Sequence, residues 1–191
     1  MRAAGFVLVG GQSSRMGQNK ARLKVDSRLL VEVIAAKLQE VTGRVTLIGN
    51  PAAFGDLPFD CFPDLRPGLG PLGGLETALS SGHADFNVIV GCDMPGIPAA
   101  ALAHLLAVSQ QSGALCTMAL DSEKRRHPLC AVYRVACLPF VRDALDAGRL
   151  RLLDLVEELR AAEVAIDLVL ENLNTPEEFA EWRAAHLAVA D

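Results

Sequence analysis

Three short apolar runs govern what this chain can become: AAGFVLV (3–9), RVTLIG (44–49) and FNVIVG (86–91). The intervening stretches SRLLVEVIAAKLQEV (27–41) and LETALSS (75–81) carry apolar residues at helical spacing instead. Near-continuous rather than alternating apolar character marks strands buried on both faces, the habit of parallel sheets covered by helices. Parallel neighbours need a crossover, and the helices between the runs supply it. The expected fold class is therefore α/β: a three-layer, doubly wound, mostly parallel, Rossmann-like sheet. The second half reads differently. A helix, IPAAALAHLLAVSQ (97–110, Pro98 near its first turn), leads to a strand, ALCTMAL (114–120). A polar turn, DSEKRRH (121–127), then joins it to PLCAVYR (128–134), expected to run antiparallel and add a mixed strand. Helices are expected at about 135–147 and 150–161, a strand at VAIDLVL (164–170), and a last helix at PEEFAEWRAAHL (176–187). Thr175 as cap, Pro176 at the first position and Glu178 completing a capping box mark where that helix starts. Asp26 or Ser27 is the expected cap of the first helix. No repeat or low-complexity linker breaks the 191 residues, so residues 1–191 read as a single domain.

Charge and cysteine usage narrow the function classes. A formal net charge of −5 argues against sequence-independent binding to nucleic acid or an anionic membrane. Any anionic ligand must then be held by a local cluster. Cys61, Cys92, Cys116, Cys130 and Cys137 are odd in number, lack a CxxC pair and sit mostly in apolar runs. They read as buried free thiols rather than disulfides or a zinc site. The apolar start is too short and Gly-interrupted for a signal peptide, and no run approaches membrane-spanning length, so a cytoplasmic location is expected.

GGQSSRMGQNK (10–20), directly after the first strand, fits neither the Walker loop nor the dinucleotide fingerprint. Its chemistry is nonetheless that of a phosphate cradle. Gly10 and Gly11 allow a sharp turn and close backbone approach, and Ser13 and Ser14 add hydroxyls. Arg15 can clamp a phosphate bidentately, while Lys20 acts as a point charge. In open α/β sheets ligands gather at the carboxyl ends of the strands. The segments at Gly10, Asn50 and Asp93 all follow strands there. Asp93 suits a hard cation such as Mg²⁺, or alternatively the cap of the next helix.

LVGGQSSRMGQNKARL resembles the LxGGxSxRMGxxKxxL signature of nucleotidyltransferases that charge small phosphorylated acceptors, and within them the molybdenum cofactor guanylyltransferase family. DLRPGLGPLGGLETAL, GCDMPGIP, RRHPLCAVYR and ENLNTPEEFAEW resemble that family's further motifs, in the same order. The resemblance implies a nucleotide-diphospho-sugar-transferase-like fold, Mg²⁺ as cofactor with Asp93 as its ligand, and transfer of GMP from GTP to the terminal phosphate of molybdopterin. By the same resemblance Arg15, Lys20 and Asp93 carry the chemistry. Leu8, Val9, Gly10, Gly11, Ser13, Ser14, Lys20, Asn50, Asp64 and Asp93 bind the nucleotide; His127, Asn172, Asn174 and Thr175 bind the acceptor. Molybdenum-insertion proteins or apo-molybdoenzymes are the implied downstream partners. Members using GTP usually carry Gly-Gly at Gly10-Gly11 and cytidylyl members Ala-Gly; a missing methyl makes room for a purine. Asn19 departs from the family, which commonly has an acid before the signature lysine. A cytidylyltransferase or a non-catalytic nucleotide-binding adaptor are the rival readings. Read alone, Asn50 is a left-handed turn residue, Asp64 a loop residue, Lys124–Arg126 a solvated hairpin tip, and Phe179 and Trp182 core packing.

Overall fold

The computed structural model describes residues 1–10, 20–25 and 27–187. In chain order its elements are β1 (Ala3–Leu8), β2 (Lys24–Val25), β3 (Arg28–Leu29), α1 (Leu30–Thr42), β4 (Val45–Ile48), β5 (Asp60–Phe62), α2 (Gly70–Ser80) and β6 (Phe86–Gly91). They continue with α3 (Ala99–Ser112), β7 (Cys116–Leu120), β8 (Arg126–Arg134), α4 (Leu138–Asp146), α5 (Leu152–Glu158), β9 (Ala162–Ala165) and α6 (Pro176–Leu187). Seven strands form one sheet in the order β5-β4-β1-β6-β8-β7-β9. All run parallel except β8, which is antiparallel to both its neighbours, β6 and β7. This is the mixed, doubly wound sheet that the apolar runs imply.

Both faces of the sheet are covered, which explains the lack of polar alternation. Along β1, Val7 faces a core shared with α1 and α3 (Ile34, Leu38, Leu102, Leu105). Its neighbours Phe6 and Leu8 face a second core shared with α2, α4 and α5 (Leu72, Leu75, Val141, Leu155). Removing a fully buried ring such as Phe6 would cost about 3–5 kcal/mol. A small third cluster of Leu30, Leu173, Phe179 and Trp182 holds α6 against the start of α1, so Phe179 and Trp182 are core packing as expected.

Several boundaries move. α2 begins at Gly70, five residues before the LETALSS pattern, because Pro71 suits the first turn and Gly73 and Gly74 are buried within the helix. Ser27 does not cap α1, and Asp26 lies outside the described residues. A short β2–β3 hairpin precedes the helix, whose entry is closed by Glu32 accepting from the Leu29 N–H at 2.7 Å. Pro98 is the residue just before α3, beside its first turn as expected. The ninth strand is Ala162–Ala165, not 164–170: its pairing with β7 ends at Leu120, and Ile166 and Leu170 instead anchor an irregular strap in the core. The capping box of α6 is as read, with Glu178 N–H donating to Thr175 Oγ1 (3.1 Å) and Thr175 N–H to Glu178 Oε2 (3.0 Å). No described helix is long and apolar enough to cross a membrane.

Candidate active site

Because β1, β4, β5 and β6 are parallel, the residues that follow them converge on one edge. A cleft of about 390 Å³ there is lined by Leu8, Gly10, Asn50 and Asp64, with Gly70 and Gly74 of α2. Among the described residues that line the cleft, Asp64 is the only one with an ionisable side chain. Burial pushes its carboxyl above the usual carboxylate range. A side chain on Gly10 would start 3.4 Å from one Asp64 oxygen, and one on Gly74 would start 3.6 Å from the other. The two bare Cα positions thus keep both oxygens open to the cleft. Gly10 does not adopt a left-handed conformation, and its missing side chain leaves space beside Asp64. Gly68 (φ +84) and Gly70 (φ +65) do adopt one, which L side chains disfavour, and they shape the wall after Asp64.

The Asp64 segment is clamped from behind. Leu65 N–H donates to Thr77 Oγ1 (3.0 Å), and Arg66 Nε lies 3.1 Å from the buried Glu76, which also meets Arg142. Asn50 is in extended backbone (φ −80), not the left-handed turn expected of it read alone, and its Oδ1 accepts from Ala52 N–H at 3.0 Å. That bond occupies one end of the amide.

Asp93 follows β6 at the centre of the edge. Its loop is fixed at several points: Leu173 N–H donates to the Asp93 carbonyl (2.9 Å), Lys37 Nζ to the Pro95 carbonyl (2.6 Å), and Met94 and Ile97 are buried. Burial lowers the pKa of Lys37. The Asp93 carboxylate has no hydrogen-bond or ion-pair partner among the described residues, and it folds back over Gly91. A Cβ on Gly91 would sit only 2.5 Å from its Oδ1. No trio of His, Cys, Asp or Glu among the described residues is grouped to hold a metal. One half-buried carboxylate without a partner among the described residues instead suits a hard divalent cation that also takes substrate phosphate oxygens. Neighbouring Cys92 is ill suited to act as a thiolate: burial, with the Asp93 charge adding to it, pushes its thiol up to about 12.

On the far side of Asp93, a cavity of about 130 Å³ is lined by Asp93, Arg126, His127, Pro128 and Asn172. A register shift at Met118/Ala119 lets β8 bulge over 128–130, and Tyr133 Oη donates to the Pro128 carbonyl (2.9 Å). The bulge brings the His-Pro pair to the site. Lys20, buried at 9% exposure, reaches the C-terminal strap, where its Nζ donates to Asn174 Oδ1 at 3.5 Å. Asn174 Nδ2 donates to the Asn172 carbonyl. Thr175 is committed to the cap of α6. Arg126 is tied to Glu157 and Glu163, and Arg125 to Glu123, which favours the hairpin-tip reading of this basic run. Gly11, Ser13, Ser14, Arg15 and Asn19 lie outside the described residues.

Residues 5–164 match the MobA-like NTP transferase domain family. A relative from Flavobacterium johnsoniae named "Probable molybdenum cofactor guanylyltransferase" is 32% identical over 177 residues, 91% of this chain and 92% of that protein. The chain belongs to the MobA-like NTP transferase family. It is thus a nucleotidyltransferase. Molybdopterin-guanine dinucleotide biosynthesis protein A from Archaeoglobus fulgidus superposes with a TM-score of 0.82 at 21% identity, covering 97% of this chain and 99% of that one. A Mycobacterium tuberculosis protein solved with manganese superposes at 0.69 and 15% identity, over 96% and 98%. Both show the same fold.

In this MobA-like chain the structure brings together Leu8, Gly10, Asn50 and Asp64 in one cleft, His127 and Asn172 with Asp93 in another, and Lys20 with Asn174 between chain ends. Val9 is buried just behind Gly10, its N–H donating to Ile48 O. Reading the sequence missed Asp121, Lys37, Gly91 and Thr77. Lys37 and Thr77 carry no local signal, since their partners are 58 and 12 residues away. Asp121 did carry one: it opens the DSEKRRH turn that ends in His127.

Proposed function

We propose that this chain transfers GMP from GTP to the terminal phosphate of molybdopterin, releasing pyrophosphate and forming the molybdopterin guanine dinucleotide cofactor. The observation that carries this reading is Asp64, an acceptor-only carboxylate with both oxygens left open by Gly10 and Gly74. Guanine is the base whose Watson–Crick edge offers two adjacent donors, the ring N–H and the 2-amino group, and a carboxylate matches that pair. Cytosine and adenine present one exocyclic amine beside an acceptor nitrogen. Asn50 keeps its Nδ2 to donate once Oδ1 is spent on Ala52. The names of the Flavobacterium and Archaeoglobus relatives support the same substrate pair.

In this reading an acceptor phosphate oxygen bonds to the α-phosphorus of GTP while the bond to the bridging oxygen of pyrophosphate breaks. No enzyme nucleophile is required; alignment and charge neutralisation carry the rate. Leu8, Val9 and Gly10 frame the nucleoside, and Gly11, Ser13, Ser14 and Arg15 with Lys20 meet the triphosphate. Asp93 would hold a divalent cation, Mg²⁺ by its lone-carboxylate chemistry, which when bound supplies further neutralisation of the phosphates. His127, Asn172, Asn174 and Thr175 stand on the acceptor side. The Lys20–Asn174 hydrogen bond supports a place for Lys20 between the triphosphate and the acceptor.

Calorimetric titration of GTP, CTP, ATP and UTP with Mg²⁺ tests the base assignment. GTP should bind at least about tenfold tighter than the others, about 1.4 kcal/mol, and Asp64→Asn should erase that margin. A preference for CTP would overturn it.

A further inference from the structure

Asp121 closes β7 and its side chain is fully buried, yet nothing in the site as described uses it. Its Oδ1 accepts from two backbone N–H groups of the hairpin turn, Glu123 (2.9 Å) and Arg125 (2.8 Å). An aspartate that only shaped a turn would stop there. Oδ2 instead lies 3.0 Å from His127 Nε2, itself buried at 5% exposure. The other ring nitrogen, Nδ1, has no hydrogen-bond partner among the described residues. His127 lines the cavity that also contains Asp93 and Asn172.

We propose that Asp121 is a positioning residue of the transfer reaction: it fixes the His127 ring so that Nε2 carries the hydrogen toward Asp121 and the unprotonated Nδ1 is left to accept a hydrogen bond from an N–H or O–H donor of the acceptor substrate. This rests on the reading that His127 stands on the acceptor side. An ionised carboxylate can only accept, so the hydrogen between the two groups must belong to Nε2. Burial alone would raise the Asp121 pKa, but hydrogen bonds from His127, Arg125 and Glu123 outweigh it and keep the carboxyl below its usual range. A carboxylate that fixes a histidine's tautomer and orientation is a recurrent device at catalytic and metal sites. Here the bulge at Pro128 and the turn held by Oδ1 set where the ring stands, and Oδ2 sets which nitrogen faces the cavity.

Long-range ¹H–¹⁵N correlation on histidine-labelled protein at pH 8, combined with a double-mutant cycle, tests this. The wild-type His127 ring should carry its hydrogen on Nε2, and molybdopterin should shift Nδ1. Asp121→Asn keeps an oxygen for the two turn N–H groups but offers N–H to Nε2, so the hydrogen should move to Nδ1. With GTP affinity unchanged within about twofold, kcat/KM for molybdopterin should then fall ten- to hundredfold. In a His127→Ala background Asp121→Asn should cost nothing more. A wild-type ring protonated on Nδ1 alone would overturn the proposal, as would an equal loss from Asp121→Asn in both backgrounds. If the wild type transfers nothing to molybdopterin, the functional reading fails, whereas the tautomer still decides the Asp121–His127 relation.

Discussion

The two sides of Asp93 are built by different means. The nucleoside side is assembled from the segments after three parallel strands, β1, β4 and β5, of which β1 and β4 are apolar runs visible in the sequence. The acceptor side is assembled from the one antiparallel strand, its bulge, a hairpin turn and a strap that returns from the far edge of the sheet. The first side achieves its chemistry by omission, with Gly10 and Gly74 leaving a carboxylate bare. The second achieves it by commitment, since Asp121, Asn174 and Thr175 all have their polar atoms engaged before any ligand arrives. Substitutions should accordingly damage the first side through bulk and the second through hydrogen-bond identity.

The largest effect is expected where the sides meet. Asp93→Ala should reduce Mg²⁺-dependent pyrophosphate release about a thousandfold or more, a loss of about 4 kcal/mol in transition-state stabilisation. Its Tm should stay close to wild type, read by parallel thermal melts. Gly91→Ala is next. The added methyl would clash first with the far end of the Asp93 side chain, its next neighbours being Leu129 atoms at 3.4 Å, so the fold should tolerate it while the carboxylate is displaced. Activity should drop at least about tenfold, and raising Mg²⁺ should recover part of it. An unchanged KM for Mg²⁺ in that variant would argue that the two sides do not share Asp93.

On the nucleoside side, Gly10→Val should weaken GTP binding about tenfold while leaving the molybdopterin KM alone, because it adds bulk over Asp64. The smallest effect is one of pH. Asp64 has a folded pKa raised by burial, so its ionised form is lost at a higher pH than for an exposed aspartate. GTP affinity should therefore fall on acidification with a midpoint above the ordinary carboxylate value, and Asp64→Asn should flatten that profile. Asp121 has the opposite sign. Its folded pKa is depressed, so the stability it contributes is present above the unfolded carboxylate value and is lost only as pH falls through the lower folded one. Melts should keep that contribution down to the unfolded aspartate value of about 3.9 and lose it below, setting the two carboxylates apart within one molecule.

The contrast also explains what the sequence could reveal. Strands β1, β4 and β6 are buried on both sides by neighbouring helices, and such burial is written locally as apolar runs. Gly10, Asn50 and Asp93 follow from them, because a loop after a parallel strand can lie at only one edge. β5 has only three residues and is less apolar, so it was hidden although it carries Asp64. The end of β9 was misjudged because VAIDLVL is apolar for another reason: Ile166 and Leu170 pack as strap anchors, not as strand residues. Lys37 reads as one more polar position on α1, and only tertiary contact gives it the Pro95 carbonyl. Asn50 illustrates the reverse case, where local reasoning expected a left-handed turn and the residue caps a short turn from extended backbone.

The most direct test is to incubate the protein with Mg²⁺, GTP and molybdopterin, and to follow pyrophosphate and the dinucleotide product together. The two should appear in equal amounts, depend on molybdopterin, and vanish in Asp93→Ala. GTP binding without molybdopterin-dependent pyrophosphate release, or equal release from CTP, would contradict the account.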